Sequence, residues 1–147
     1  MSKSSLNPRG LGNLIPQLVV RNGHAALRFL EQVFDAKVGQ VMPGPDGKGL
    51  MHGAVTISDS TVFIAEPFGP AAITSANLYV FVPDVDATVA KAKAAGAEIM
   101  NPPTDMFWGD RWAVIRDPSG TTWQVATHVE DVSPEEMQRR MAAAPKP

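Results

Sequence analysis

Leu78-Tyr79-Val80-Phe81-Val82-Pro83-Asp84-Val85-Asp86 is the stretch that decides how this chain folds. Its first five residues are β-branched, aromatic or aliphatic and read as a strand, which stops at a proline. Asp84 then stands where a helix N-cap belongs. Val85, Val89 and Ala92 share one face of the helix that follows, and Gly96 closes it from the C′ position. Strands are expected next at Glu98 to Met100, Trp112 to Arg116 and Thr122 to Thr127, the last two joined by the turn Asp117-Pro118-Ser119-Gly120.

Upstream the same order is already present. Ile15 to Arg21 reads as a strand, Asn22 as a cap, and Ala26, Leu27, Leu30, Val33 and Phe34 recur at helical spacing opposite Arg28, Glu31, Gln32 and Asp35. Val38 to Met42, Leu50 to Ile57 and Thr61 to Ala65 follow as strands, separated by turns at Pro45-Asp46-Gly47 and Ser58-Asp59-Ser60. Laying Val20 on Val82 superposes the caps Asn22 and Asp84 and the inward residues Leu27 and Val89. A period of about sixty residues is too long for a solenoid and reads as a duplicated βαβββ module. The expected fold is therefore α+β. Tandem βαβββ modules, residues 15–66 and 77–128, form curved mixed sheets around a cavity, with the helices outside, in a single domain spanning 1–147. Ser133, Pro134 and Glu136 start a further helix over 133–142, with Met137 and Met141 one turn apart.

Composition narrows the partners. Thirteen lysines and arginines against fifteen aspartates and glutamates leave a net charge of −2, which offers no field for a phosphate backbone, so nucleic acid is not expected. With no cysteine, thiol catalysis and thiolate metal sites are excluded. The segment Met1 to Pro8 has no run of apolar residues suited to a secretion signal, and the uncharged run from Pro67 to Pro83 is too short and too broken to span a membrane. A cytoplasmic protein with no membrane partner is expected.

The residues Val82-Pro83-Asp84-Val85-Asp86, the helix end Ala94-Ala95-Gly96-Ala97 and the run Arg116-Asp117-Pro118-Ser119-Gly120-Thr121-Thr122-Trp123-Gln124 resemble the vicinal oxygen chelate superfamily of glyoxalase, bleomycin-resistance and dioxygenase proteins. Gly109-Asp110-Arg111 and the tail from Thr127 to Met137 resemble its bleomycin-resistance-like branch. The resemblance implies a metal centre with one His or Glu from the first and last strand of each module. Those positions fall here on Ile15, with Gln17 beside it, on Phe63 or Ile64, on Asn77 and on Gln124. Amides bind divalent ions weakly and hydrocarbons not at all, so no metal and no other cofactor is expected. His24, His52, Glu66, His128 and Glu130 are the remaining candidates for a replacement metal site. His24 reads as a solvated helix residue. His52, Glu66 and His128, the set kept for a non-standard site, each also have a plain structural role to play: cavity polarity, a solvated strand end, a rim contact.

The aromatic residues point to ligand binding instead. Tyr79 and Phe81 alternate on the Asn77 face, and Phe107 and Trp108 lie in a loop with Pro102, Pro103 and Gly109. Arg111 shares a parity with Ala113 and Ile115 that is expected to face the cavity, where it either clamps an anion or pairs with Asp110 or Asp117. Trp112 and Trp123 are expected beneath the helices. The expected ligand-binding set is His52, Phe63, Asn77, Tyr79, Phe81, Trp108, Arg111 and Gln124. The resulting expectation is a homodimeric, metal-independent protein that sequesters a small drug or metabolite. The alternative is a metal-dependent or cofactor-free lyase, isomerase or dioxygenase of the same superfamily.

Overall fold

The computed structural model describes residues 7, 10–69 and 72–143. Met1 to Leu6, Pro8 and Arg9, on which the reading of the N-terminal segment rests, and Pro70 and Ala71 in the uncharged run lie outside the described residues. The chain forms two compact units, Met1–Ala76 and Asn77–Pro147.

The first unit contains β1 (Gln17–Val19), α1 (Gly23–Phe34), β2 (Lys37–Pro43), β3 (Leu50–Ile57) and β4 (Ser60–Ala65). Its sheet has the order β1-β4-β3-β2, with β1 and β4 parallel and the other pairs antiparallel. β1 is shorter than the sequence suggests, because Pro16 has no N–H to donate. The ladder still extends past both ends through Phe63 N–H to the Pro16 carbonyl and Val20 N–H to the Ala65 carbonyl. Asn22 caps α1 by accepting from the Ala25 N–H at 3.0 Å. The expected stripe is buried against the sheet, and Phe29 joins it. Gly23 opens the helix at a crowded point, where a Cβ would lie 2.5 Å from Leu50 Cβ.

The second unit contains β5 (Asn77–Phe81), α2 (Val85–Ala94), β6 (Glu98–Asp105), β7 (Asp110–Arg116), β8 (Thr122–His128) and α3 (Pro134–Ala143). Its sheet repeats the topology as β5-β8-β7-β6, again with one parallel pair. Asp84 caps α2 through the Ala87 N–H, and Gly96 follows the helix at φ +96. Val85, Thr88, Val89 and Ala92 are the buried residues of α2, and Ala113, Ile115, Trp123 and Val125 are buried on the sheet. Ser133 caps α3 by accepting from the Glu136 N–H.

Two expectations about this unit are corrected. Pro102 and Pro103 belong to a strand and not to a loop: β6 is an edge strand whose register shifts twice, which is where a sheet tolerates prolines. The faces of β7 are the reverse of those expected. Trp112 pairs with Ala126 and Val114 with Gln124, so Trp112 lies on the open face of the sheet, while the parity of Arg111, Ala113 and Ile115 faces α2.

Candidate functional site

The open face of the second sheet gathers most of the expected residues. Parallel pairing sets Asn77, Tyr79 and Phe81 of β5 beside Thr122, Gln124 and Ala126 of β8, all on one side. Tyr79 and Phe81 are 44% and 60% exposed, an unusual condition for two neighbouring aromatics on a sheet. Their ring centroids are 5.2 Å apart. Trp108 folds over the same face and meets Trp112 edge-on at 5.8 Å, with Phe107 edge-on behind it at 5.0 Å.

The turn that brings Trp108 there depends on Gly109. Its φ of +101 is a left-handed conformation, and a Cβ at this position would lie 2.2 Å from the Glu130 carbonyl oxygen. Val129 and Glu130 both donate their N–H groups to the Gly109 carbonyl, and Arg140 of α3 donates to the Phe107 carbonyl at 3.2 Å. The C-terminal segment therefore straps down the aromatic turn.

Beneath the rings lies Asp110, 5% exposed. Its Oδ2 accepts from the Tyr79 hydroxyl at 2.9 Å and from Trp108 Nε1 at 3.0 Å, and its Oδ1 is 2.8 Å from His128 Nδ1. The second ring nitrogen of His128 is 2.7 Å from Asp131. The Asp110 carboxylate first, and Asp131 second, raise the His128 pKa above its ordinary value. Burial and then the Asp110 hydrogen bond raise that of the Tyr79 phenol. A second hydrogen-bonded chain runs from Trp112 Nε1 to Gln124 Oε1 at 3.1 Å and from Gln124 Nε2 to Asn77 Oδ1 at 3.2 Å.

Asp110 and Trp112 are the residues that sequence reasoning placed elsewhere. Alternation shows that β7 has two faces without showing which one the helix covers. The polar signal was the placement of Asp110 opposite His128 across the β7–β8 ladder, which becomes visible once that register is set.

Arg111 is separated from this group. It pairs with Asp86 of α2 at 2.7 Å and with Asp105 at 3.1 Å, in place of the expected Asp110 or Asp117. Asp117 serves the turn instead. It accepts from the Ser119 and Thr121 N–H groups and from Trp123 Nε1, and burial pushes its pKa up against those bonds.

His52 and Phe63 belong to the first unit, where the His52 ring stands edge-on to Phe63 at 4.5 Å. Glu66 is no free strand-end charge. Its Oε2 accepts from the Gly23 N–H at 2.9 Å and the Leu50 N–H at 3.0 Å, holding the start of α1 against the start of β3.

The superfamily's metal centre does not fit these donors. The corresponding positions offer the hydrocarbons Ile15 and Phe63 and two amides, and the Gln124 amide already bridges Trp112 and Asn77. Among the described residues no group of three or more His, Asp or Glu is placed to hold a metal ion.

Comparison with known proteins agrees with the topology. The family model Glyoxalase/Bleomycin resistance protein/Dioxygenase superfamily matches residues 13–125. The Mycobacterium bovis protein Mb0911c is 35% identical over 142 residues, covering 88% of this chain and 92% of its own. Among solved structures, the Streptomyces sp. CB03234 antibiotic binding protein TnmS3 aligns with a TM-score of 0.62 at 20% identity, over 87% of this chain and 98% of its own. The fosfomycin resistance protein FosX of Listeria monocytogenes, complexed with Mn(II) and sulfate, also gives 0.62, at 18% identity over 88% and 97%. At these identities the solved structures speak for the fold alone.

Proposed function

We propose that this chain, which belongs to the Glyoxalase/Bleomycin resistance protein/Dioxygenase superfamily, is a metal-independent small-molecule-binding protein that sequesters a flat, largely apolar drug or metabolite. The observation that supports this reading is the aromatic platform of exposed Tyr79 and Phe81 with partly buried Trp108 and Trp112, held in place by hydrogen-bonded polar chains. Ring faces of this kind bind planar molecules by apolar burial and stacking, and Asn77 and Gln124 at its edge add orientation. Of the remaining expected residues, His52 and Phe63 meet each other within the first unit, while Arg111 is held in ion pairs with Asp86 and Asp105. The working form is a cytoplasmic homodimer. Among the described residues no helix is long and apolar enough to cross a membrane.

The enzymatic alternative, either a metal-dependent lyase, isomerase or dioxygenase on His52, Glu66 and His128 or a metal-free catalyst with His52 as acid–base, has less support. Glu66 holds two backbone amides and His128 is clamped between two carboxylates. Titration with a planar aromatic probe, read by calorimetry before and after treatment with EDTA, tests the proposal. Binding and melting temperature are both expected to survive chelation. Stoichiometric zinc, nickel, manganese or iron in the purified protein, with a melting temperature that falls on chelation and returns with one metal, would overturn it.

A further inference from the structure

On the open face of the second unit most polar hydrogens are already committed to partners within the protein. The Tyr79 hydroxyl and Trp108 Nε1 both donate to Asp110. Trp112 Nε1 donates to Gln124, one Gln124 amide hydrogen goes to Asn77, and the Thr104 hydroxyl donates to the Pro102 carbonyl. Both His128 ring nitrogens lie against carboxylates. The polar hydrogens of the aromatic residues therefore point into the protein, leaving outward the electron-rich ring faces, with the second lone pairs of the two amide oxygens and the remaining amide hydrogens of Asn77 and Gln124 at the edge.

The charges on this face agree. Asp110, Asp131 and a protonated His128 sum to −1, and a neutral His128 leaves −2. Arg116, at the far end of β7, is neutralised by Glu98 at 3.4 Å. Arg111 lies on the α2 side between Asp86 and Asp105. Asp110 is buried, so water screens its charge only weakly, and the His128 ring 2.8 Å away offsets it when protonated.

We infer that the platform selects an organic cation: a protonated amine or quaternary ammonium carried on an aromatic body, with the cation over the rings beside Asp110 and the body against Trp108 and Trp112. This rests on the small-molecule reading above and names its ligand class. The ring quadrupoles attract positive charge, and ligand N–H groups meet acceptors. An anion finds donors only in the Asn77 amide and the second Gln124 amide hydrogen at the edge, and meets ring faces and net negative charge over the rest of the platform.

Three probes of nearly equal size, 2-naphthylmethylammonium, 2-naphthylmethanol and 2-naphthoate, separate the possibilities by calorimetry at neutral pH. The ammonium is expected to bind about ten-fold more tightly than the alcohol, and the naphthoate more weakly than both. The cation's advantage should shrink as salt is raised, and in Asp110→Asn it should fall several-fold. The wild-type salt series decides the matter even if that variant folds poorly. Equal affinity for ammonium and alcohol, or tighter binding of naphthoate, overturns the cation inference and leaves the small-molecule reading standing. Binding of none of the three overturns both.

Discussion

The two units share one topology and distribute their bulky side chains in opposite ways. In the first, Leu27, Phe29, Leu30, Val33 and Phe34 of α1 are all buried. In the second, α2 buries only Val85, Thr88, Val89 and Ala92, and the sheet beneath it is small at Ala113. The large rings of Tyr79, Phe81, Trp108 and Trp112 lie on the other side of that sheet, with Trp123 alone among the large aromatics taken beneath the helix. Apolar area removed from water stabilises the fold, whereas apolar area left on a rigid surface is available to a ligand. The same βαβββ frame thus supports a packed core in one copy and an aromatic platform in the other.

Removing a large side chain from each unit should separate these roles. Leu30→Ala, at a position 2% exposed, is expected to lower unfolding free energy by about 3 kcal/mol in urea denaturation. Phe81→Ala, at a position 60% exposed, should cost less than about 1 kcal/mol. Equal costs would break the contrast.

The binding counterpart compares Trp108→Ala with Phe63→Ala. Loss of Trp108 should weaken binding of an aromatic probe about ten-fold, some 1.4 kcal/mol, and loss of Phe63 should weaken it less. The reverse ranking would move the site to the first unit.

Gln124→Ala sharpens the picture further. Because its amide bridges Trp112 and Asn77, the substitution is expected to cost about 1 kcal/mol in stability as well as in probe binding. A change in stability alone, with binding intact, would make Gln124 a support and not a contact.

The smallest effect concerns pH. The His128 pKa is raised in the folded protein, so the stability its charge contributes is full below its ordinary value of about 6.5 and is lost as pH rises through the folded value. His128→Gln should therefore narrow the gap to wild type as pH increases, by a modest amount since the side chain is half-exposed. Melting curves between pH 5 and about 9 provide the check. A gap that widens with pH would reverse the assignment of the charged form.

How much of this was legible beforehand follows the range of the interactions. Asn22, Asp84, Gly96 and Ser133 were readable because a cap engages groups three residues away. The turn at Asp117 to Gly120 and the repeated element order were readable for the same reason. The aromatic partners Tyr79 and Phe81 were placed correctly beside Asn77 by simple alternation.

By itself, then, the sequence determined the two modules, their caps and turns, and the lack of His or Glu at Ile15, Phe63, Asn77 and Gln124. Tertiary structure decided which face of β7 was covered. Both faces of that strand carry apolar residues, so alternation separates Trp112 from Ala113 without telling which lies beneath α2, and only close packing of the helix on small Ala113 selects the answer. It also decided that Glu66 holds α1 and that Asp110 collects Tyr79 and His128, partners 31 and 18 residues away in the chain. Contacts of that range exist only once the strands are in register, because no local propensity encodes them.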